Sequence, residues 1–292
     1  MSIRRDAARV AVVIVNYQSY EELHGCLASL DPACERMSVV VVDHQSDSHA
    51  ADLLSRQFPD VQLRRVAGND GFAAGVNNGA RATSSQFILL VNPDCVLQPE
   101  AACRLVEWLE GHPDVAVAGP RIRNADGTVQ PSARRFPDLT TAFAGRSSWL
   151  TRVLPGNPMS RHNLPARDPA DTTPVEVDWV SGACMCVRRD AFDAVGGLDE
   201  GFFLYWEDAD FCRRLKQAGW RTMYVPTAVA VHVGGRSSRH AADASLEAFH
   251  KSAFRLYRKH AGPAAQLLTP IVYAGLRLRL AFMKRLIRSR RA

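Results

Sequence analysis

Four places in this chain gather side chains able to bind a ligand or move a proton. Asn16 and Tyr17 follow the apolar run Val10–Val15. Asp43-His44-Gln45-Ser46-Asp47 follows Val39–Val42, and Asn92-Pro93-Asp94 follows Phe87–Val91. Continuous apolar runs of this kind are the pattern of strands buried on both faces. In an open parallel sheet, ligands settle at the carboxyl ends of the strands. One polar strand end is ordinary; three in succession point to a polar ligand, or a cation, lying across the sheet edge. The fourth place is Glu207-Asp208-Ala209-Asp210, an acidic helix start, where the helix dipole favours a carboxylate.

The elements that must hold these groups follow from period and capping. Ser19-Tyr20-Glu21-Glu22 has the form of a capping box, and Leu23, Cys26, Leu27 and Leu30 then share one helical face. Ala51, Leu54 and Phe58 mark a second helix, Val61–Val66 a third strand, and Gly71–Ala82 a glycine-rich loop entering a helix. Strands alternating with helices over the first 120 residues predict an α/β fold with a Rossmann-like, mostly parallel sheet flanked by helices. Further on, one or two strands are expected around Gly182, a helix over Asp208–Gln217 stopped by Gly219, and short strands at Met223–Val225 and Val229–Val233. Pro137–Thr173 has no period and reads as a long loop.

Some functions are excluded. No G-x-G-x-x-G follows the first strand, where a dinucleotide site needs it, and Gly71, Gly75 and Gly79 have the wrong spacing. No phosphate-binding P-loop is present. The seven cysteines include no C-x-x-C pair and sit among apolar residues, so buried thiols in a reducing compartment are expected, without a disulfide framework. No signal peptide and no spanning segment is read from the sequence.

The net charge of +6 is uneven. Residues 248–292 hold 11 Lys or Arg and no acid, leaving 25 basic against 30 acidic residues elsewhere. From Ala274, Leu276, Leu280, Phe282, Met283, Leu286 and Ile287 gather on one side of a helical wheel. Arg277, Lys284, Arg285 and Arg288 lie opposite, with Arg279 the exception. A basic amphipathic helix fits the surface of an anionic membrane; its alternative is a helix packed on the domain with a solvated basic face. A nucleic-acid partner would explain the tail but not the strand-end acids, and none is expected.

The segments VVIVNYQSYEEL, VVVVDHQSD, NDGFAAGVNNG, LLVNPDC, DGTVQPSARRFP, VSGACMCVRRDAFDAVGGLDEGFFLYWEDADFCRRLKQAGWR and HVGGRS occur in this order. Together they resemble the family 2 glycosyltransferases of the GT-A fold, especially their bacterial rhamnosyltransferase-like members, over roughly Val10–Gly235. The resemblance implies a GT-A domain over 1–240, with a nucleotide-binding half of about 1–120 and an acceptor half of about 121–240, followed by a basic helical extension over 241–292. It implies an inverting enzyme that moves a sugar, L-rhamnose among the candidates, from a nucleotide-diphosphate donor onto a glycan or lipid-linked acceptor in cell-envelope polysaccharide synthesis.

The resemblance also implies roles. Asn16, Tyr17, Asp43, Gly71, Asn77, Asn92 and Asp94 would bind the nucleotide-sugar, with Asp43 accepting from the base. The family commonly has Asn where this chain has His44, which leaves dTDP and UDP donors both open. Asn92-Pro93-Asp94 stands at the D-x-D position, and with His232 it would hold Mn2+ or Mg2+ on the diphosphate. Asp208 would be the general base, supported by Glu207 and Asp210. Trp179, Gly182, Tyr205, Trp206 and Glu207 would shape the acceptor side, and Arg236 in a closing loop would approach phosphate. The place implied for such an enzyme is the cytoplasmic face of the membrane, peripherally bound. Asn92, which removes one D-x-D charge, keeps open a second reading: a weak or inactive homologue acting as a membrane-docked assembly partner. Donor sugar, acceptor, linkage and oligomeric state are not set by the sequence.

Overall fold

The computed structural model describes residues 8–30, 37–45, 47–137, 170–233 and 242–289. The 234–237 loop with Arg236, and most of the long loop over 137–173, lie outside the described residues.

The four predicted runs form β1 (Val10–Tyr17), β2 (Met37–His44), β3 (Gln62–Val66) and β4 (Phe87–Val91). They pair in parallel in the order β3-β2-β1-β4. Their crossovers are α1 (Tyr20–Ala28), α2 (Ser48–Gln57) and α3 (Phe72–Arg81). The remaining strands are β5 (Cys95–Leu97), β6 (Val115–Arg123), β7 (Ala133–Arg134), β8 (Val175–Val177), β9 (Trp179–Val180), β10 (Cys184–Arg188) and β11 (Arg221–His232). The remaining helices are α4 (Ala101–Gly111), α5 (Arg189–Ala194), α6 (Glu207–Gln217), α7 (Ala242–His260), α8 (Pro263–Gln266) and α9 (Thr269–Ser289).

β10 lies antiparallel between β4 and β6, and β11 runs parallel to β6. β1, β2, β3, β4, β6 and β11 therefore share one direction, the mostly parallel sheet that the alternation predicted. β8 and β5 pair antiparallel with the two ends of β11, and β7 and β9 form a separate two-stranded ladder. Alternate residues of each strand feed two cores. Val12 and Ile14 pack with Leu23, Leu54 and Leu105 on one face. Val13, Ile88 and Leu90 pack with Val76 and Phe211 on the other. Each such fully buried aliphatic side chain contributes about 1.5–3 kcal/mol. Gly79 lets α3 lie flat on β1, because a Cβ there would come within 2.5 Å of Val13.

Several local expectations change. Ser19 opens α1 without a side-chain cap bond, and its hydroxyl donates back to the Tyr17 carbonyl at 3.2 Å. Asp47 does cap α2, accepting from His49 and Ala50. The two short strands expected near residues 223 and 229 are one strand, β11, whose pairing slips between Val225 and Val229. Pro226 sits at the slip and has no N–H for the ladder. Gly219, at φ +90°, stops α6 as expected. Cys26, Cys95, Cys184, Cys186 and Cys212 are buried free thiols. Cys103, by contrast, is disulfide-bonded, against the reading of seven thiols; its partner lies outside the described residues.

The C-terminal extension is part of the scaffold. α7 packs on the segment that leads into α6: the Ser252 hydroxyl donates to the Leu204 carbonyl at 2.9 Å, and Phe249 meets Tyr205 and Trp206 with ring centroids 5.8 and 5.4 Å away. α9 packs on α7 with the face that the helical wheel offered to the membrane. Leu280 is buried there, Leu276, Met283, Leu286 and Ile287 are half-buried, and Arg279 lies over the Phe249 ring. Of the predicted apolar face only Phe282 is left largely exposed. No helix of the described residues is long and apolar enough to cross a membrane.

Candidate active site

The carboxyl ends of β1, β2 and β3 border an open cleft of about 590 Å³, lined by Gln18, Gln45, Ser48, Arg65, Val66 and Ala67. Gln18 and Gln45 hold left-handed backbone angles of +55° and +51°, which turn the chain sharply off each strand. Asp43 and Asn16 lie side by side at the ends of paired strands, both fully buried. Asn16 Nδ2 donates to Asp43 Oδ1 at 2.7 Å, and the Tyr20 hydroxyl donates to Asp43 Oδ2 at 2.7 Å. Asn16 thus orients Asp43 directly, while Tyr17 is more than one-third exposed beside them.

The glycine-rich loop is closed by the acceptor half. Gly71 sits at φ +91°, and a Cβ there would come 2.4 Å from the Phe203 carbonyl. The Phe72 N–H donates to that same carbonyl at 2.8 Å. Asn77, expected on the donor, is a brace here. Its amide donates to the Leu198 carbonyl at 2.8 Å and to Glu200 at 2.9 Å, and its oxygen accepts the Leu198 N–H at 2.9 Å.

The two expected metal ligands do meet. β5 and β11 pair Cys95 with His232, which brings His232 Nε2 to 3.1 Å from Asp94 Oδ1. Asn92 stands beside them, its N–H bonded to the Ala183 carbonyl. One carboxylate oxygen and one imidazole nitrogen 3.1 Å apart form a donor pair that would suit a divalent cation. Among the described residues no group of three or more His, Cys, Asp or Glu side chains could hold a metal. Two protein ligands, completed by diphosphate and water, is the ordinary provision for Mg2+.

Asp208 lies in the first turn of α6. Its Oδ2 accepts the Gly182 N–H at 2.9 Å and its Oδ1 accepts the Ala209 N–H at 2.8 Å. Burial raises its pKa from the ordinary Asp value, against the pull of these two N–H groups and of the nearby Arg134 guanidinium. Glu207 is pushed well above its ordinary value by burial and then by the charge of Asp208. Both neighbouring carboxyls are thus shifted upward by burial, Glu207 further than Asp208. Glu207 Oε2 and Trp206 Nε1 are buried with no hydrogen-bond partner among the described residues, so an unused carboxyl oxygen and an unused donor stand beside Asp208. Tyr205 and Trp206 are successive left-handed residues, φ +68° and +71°; such backbone costs about 1–3 kcal/mol per residue. The aromatic wall holds Trp179 6.1 Å from Trp206.

Asp210, expected only to support the base, is a hub. It is fully buried and takes Arg214 at 2.8 Å, Lys259 at 2.8 Å and His260 at 2.7 Å. Sequence reasoning missed Arg134, which lies 5.0 Å above the Trp179 ring on the β7–β9 ladder. Its signal was present in the SARRF stretch, to which no role was given.

The model of the family described as glycosyltransferase like family 2 matches residues 7–258 of this chain. The chain is a family 2 glycosyltransferase. The matched region ends within α7, so the start of the extension belongs to the family domain and α8 and α9 lie beyond the match. The chain is 34% identical over 295 residues to the N-acetylglucosaminyl-diphospho-decaprenol L-rhamnosyltransferase of Mycobacterium tuberculosis, covering 96% of this chain and 95% of that protein. It is 26% identical over 265 residues to rhamnosyltransferase WbbL of Escherichia coli K12, covering 86% and 90%. Among solved structures, the mannosyltransferase PcManGT of Pyrobaculum calidifontis, in complex with GDP-Man and Mn2+, superposes with a TM-score of 0.56 at 17% identity, over 95% of this chain and 75% of that one. That likeness establishes the shared GT-A fold.

Proposed function

We propose that this glycosyltransferase moves L-rhamnose, with inversion, from a nucleoside-diphosphate donor onto a lipid-linked acceptor that ends in N-acetylglucosaminyl diphosphate, for cell-envelope polysaccharide synthesis. The sugar and acceptor are those named for the mycobacterial relative. The observation that carries the mechanism is Asp208, a carboxylate made more basic by burial and aimed by two main-chain N–H groups.

The donor's base occupies the cleft at the ends of β1–β3, with Asp43 beneath it. Asp94 and His232 hold Mn2+ or Mg2+, which when bound neutralises charge on the departing diphosphate. Asp208 takes the proton of the acceptor hydroxyl as that oxygen attacks the anomeric carbon from the face opposite the leaving group. Trp179 and Trp206 stack on the acceptor sugar, and Glu207 and Trp206 Nε1 offer their unused groups to its hydroxyls. The decisive test uses dTDP-rhamnose, UDP-sugars and a lipid-linked N-acetylglucosaminyl diphosphate with Mn2+ or Mg2+. Asp208→Asn is expected to lower kcat about 10²–10⁴-fold with donor affinity unchanged; loss of donor affinity would remove Asp208 from the base role.

The enzyme docks peripherally on the cytoplasmic face of an anionic membrane through α9, by a stripe that shares only Phe282 with the face the helical wheel selected. Ile271, Leu278 and Phe282 are 64%, 72% and 60% exposed and share one stripe, flanked by exposed Arg277, Arg285 and Arg288. Leu278→Glu with Phe282→Glu is expected to abolish flotation with phosphatidylglycerol vesicles. Unchanged flotation by a folded double variant would discard this surface.

A further inference from the structure

The stretch Asp126–Gln130 forms a turn beyond β6. The Gly127 N–H reaches the Asn124 carbonyl at 2.9 Å, and the Asn124 N–H reaches the Thr128 carbonyl at 2.8 Å. The Gln130 N–H reaches the Ile122 carbonyl at 2.8 Å. The side chains of this turn form a chain of hydrogen bonds with a fixed direction. Asp126 is an exposed carboxylate, held below the usual range chiefly by the Thr128 hydroxyl, so it only accepts. Thr128 Oγ1 gives it its single proton at 2.6 Å. The Thr128 oxygen then accepts from Asn124 Nδ2 at 2.7 Å. That turns Asn124 Oδ1 towards Gln130 Nε2, at 2.7 Å.

A second anchor acts independently. Gln130 Nε2 gives its other proton to the main-chain carbonyl of His232 at 2.9 Å. Both anchors turn Gln130 Oε1 towards His232 Nδ1, at 3.1 Å. An amide oxygen only accepts, so the imidazole proton sits on Nδ1. The Nε2 lone pair is then aimed at Asp94 Oδ1, 3.1 Å away. Two acceptors at that distance repel unless a proton or a cation lies between them.

We infer that Gln130 is a positioning residue that clamps both the ring and the main chain of His232, fixing the Nδ1–H form and presenting Nε2, beside Asp94, to a divalent cation. The inference rests on the metal-binding reading of Asp94 and His232 proposed above. It gives the DGTVQ turn its purpose: the turn supports a ligand 102 residues further along the chain.

The test uses the full chain and Gln130→Met, with Gln130→Glu as a second variant that keeps an acceptor opposite Nδ1. Mn2+ binding is followed by loss of the free-ion paramagnetic resonance signal, once with UDP and once with dTDP present. Gln130→Met is expected to bind Mn2+ about 10–100-fold more weakly with a wild-type thermal midpoint. In parallel, nitrogen-15 NMR of the metal-free wild type, under alkaline conditions that neutralise the ring, is expected to show the Nδ1–H form for His232. Gln130→Glu is expected to keep that form and Gln130→Met to lose it. A wild-type ring protonated on Nε2 overturns the inference whatever the variants do, as does unchanged Mn2+ affinity in a folded Gln130→Met. A wild type that binds no Mn2+ with either nucleotide overturns instead the metal reading beneath it, and the NMR result still decides the clamp.

Discussion

Asn77→Ala separates two meanings of one residue. As a donor ligand, Asn77 would affect nucleotide affinity and leave stability alone. Its geometry says the reverse. Leu198 is 2% exposed, and Asn77 receives its N–H and supplies a donor to its carbonyl. Truncation orphans both main-chain groups, at about 1–3 kcal/mol each, so a loss of roughly 2–6 kcal/mol is expected. The denaturant slope should not change, so the whole loss appears as a lower urea midpoint. Binding of UDP and dTDP, measured by calorimetry below the transition, should stay within twofold of wild type. Turnover should fall, because residues 198–206 lead directly to Asp208, the proposed base. A variant within 1 kcal/mol of wild-type stability whose nucleotide affinity drops tenfold would refute the brace and return Asn77 to the donor site.

Removal of the Asp210 carboxylate, by Asp210→Ala, leaves Arg214, Lys259 and His260 facing one another without their common anion. Loss of one partner from a buried ion cluster costs about 3–5 kcal/mol, so urea unfolding should show at least the lower figure; a loss under 1 kcal/mol would discount the hub. Glu207 has the opposite sign of effect. Its folded pKa is raised, so the folded chain holds a proton that the unfolded chain releases, and this site's stability contribution declines as pH rises above the ordinary Glu value. Glu207→Gln should therefore gain on wild type as pH rises above the ordinary Glu value; parallel stability curves would argue against a raised Glu207 pKa. Arg134 lowers the pKa of Asp208. Arg134→Gln should therefore move the acidic limb of the kcat profile to higher pH, and an unmoved limb would place Arg134 outside the field of the base.

The first half of the fold was legible because β1, β2 and β4 are continuous apolar runs, whose burial on both faces leaves no competing period. The position of Asp43 and Asp94 at or just past the ends of β2 and β4 was legible for the same reason: a polar group closing such a run marks where the strand stops. β7 and β9 were not separable, since two-residue strands carry no period. Pro226 split β11 in the reading because a missing N–H looks like a strand end, whereas the chain absorbs it as a register slip. The tail was periodic, but periodicity says only that a helix has an apolar face. It cannot say that α7 already covers that face and that Ile271 and Leu278 remain outside. Gln130 was invisible for a deeper reason: its partner is 102 residues away and its role lies in the direction of its hydrogen bonds.

The clasp between α7 and Asp210 bears on how the enzyme is made. Synthesis runs from the N-terminus, and early parts of a chain fold while later ones are still being added. The sheet, the cleft at the ends of β1–β3 and the Asp94–His232 pair are complete once β11 has emerged. Phe249 and Ser252, then Lys259 and His260, arrive later still, and until they do the left-handed turn at Tyr205 and Trp206 and the buried Asp210 lack their outer support. The nascent protein can therefore assemble its sheet and the strand-end cleft well before the segment around Asp208 is locked in place, and that locking comes only with α7.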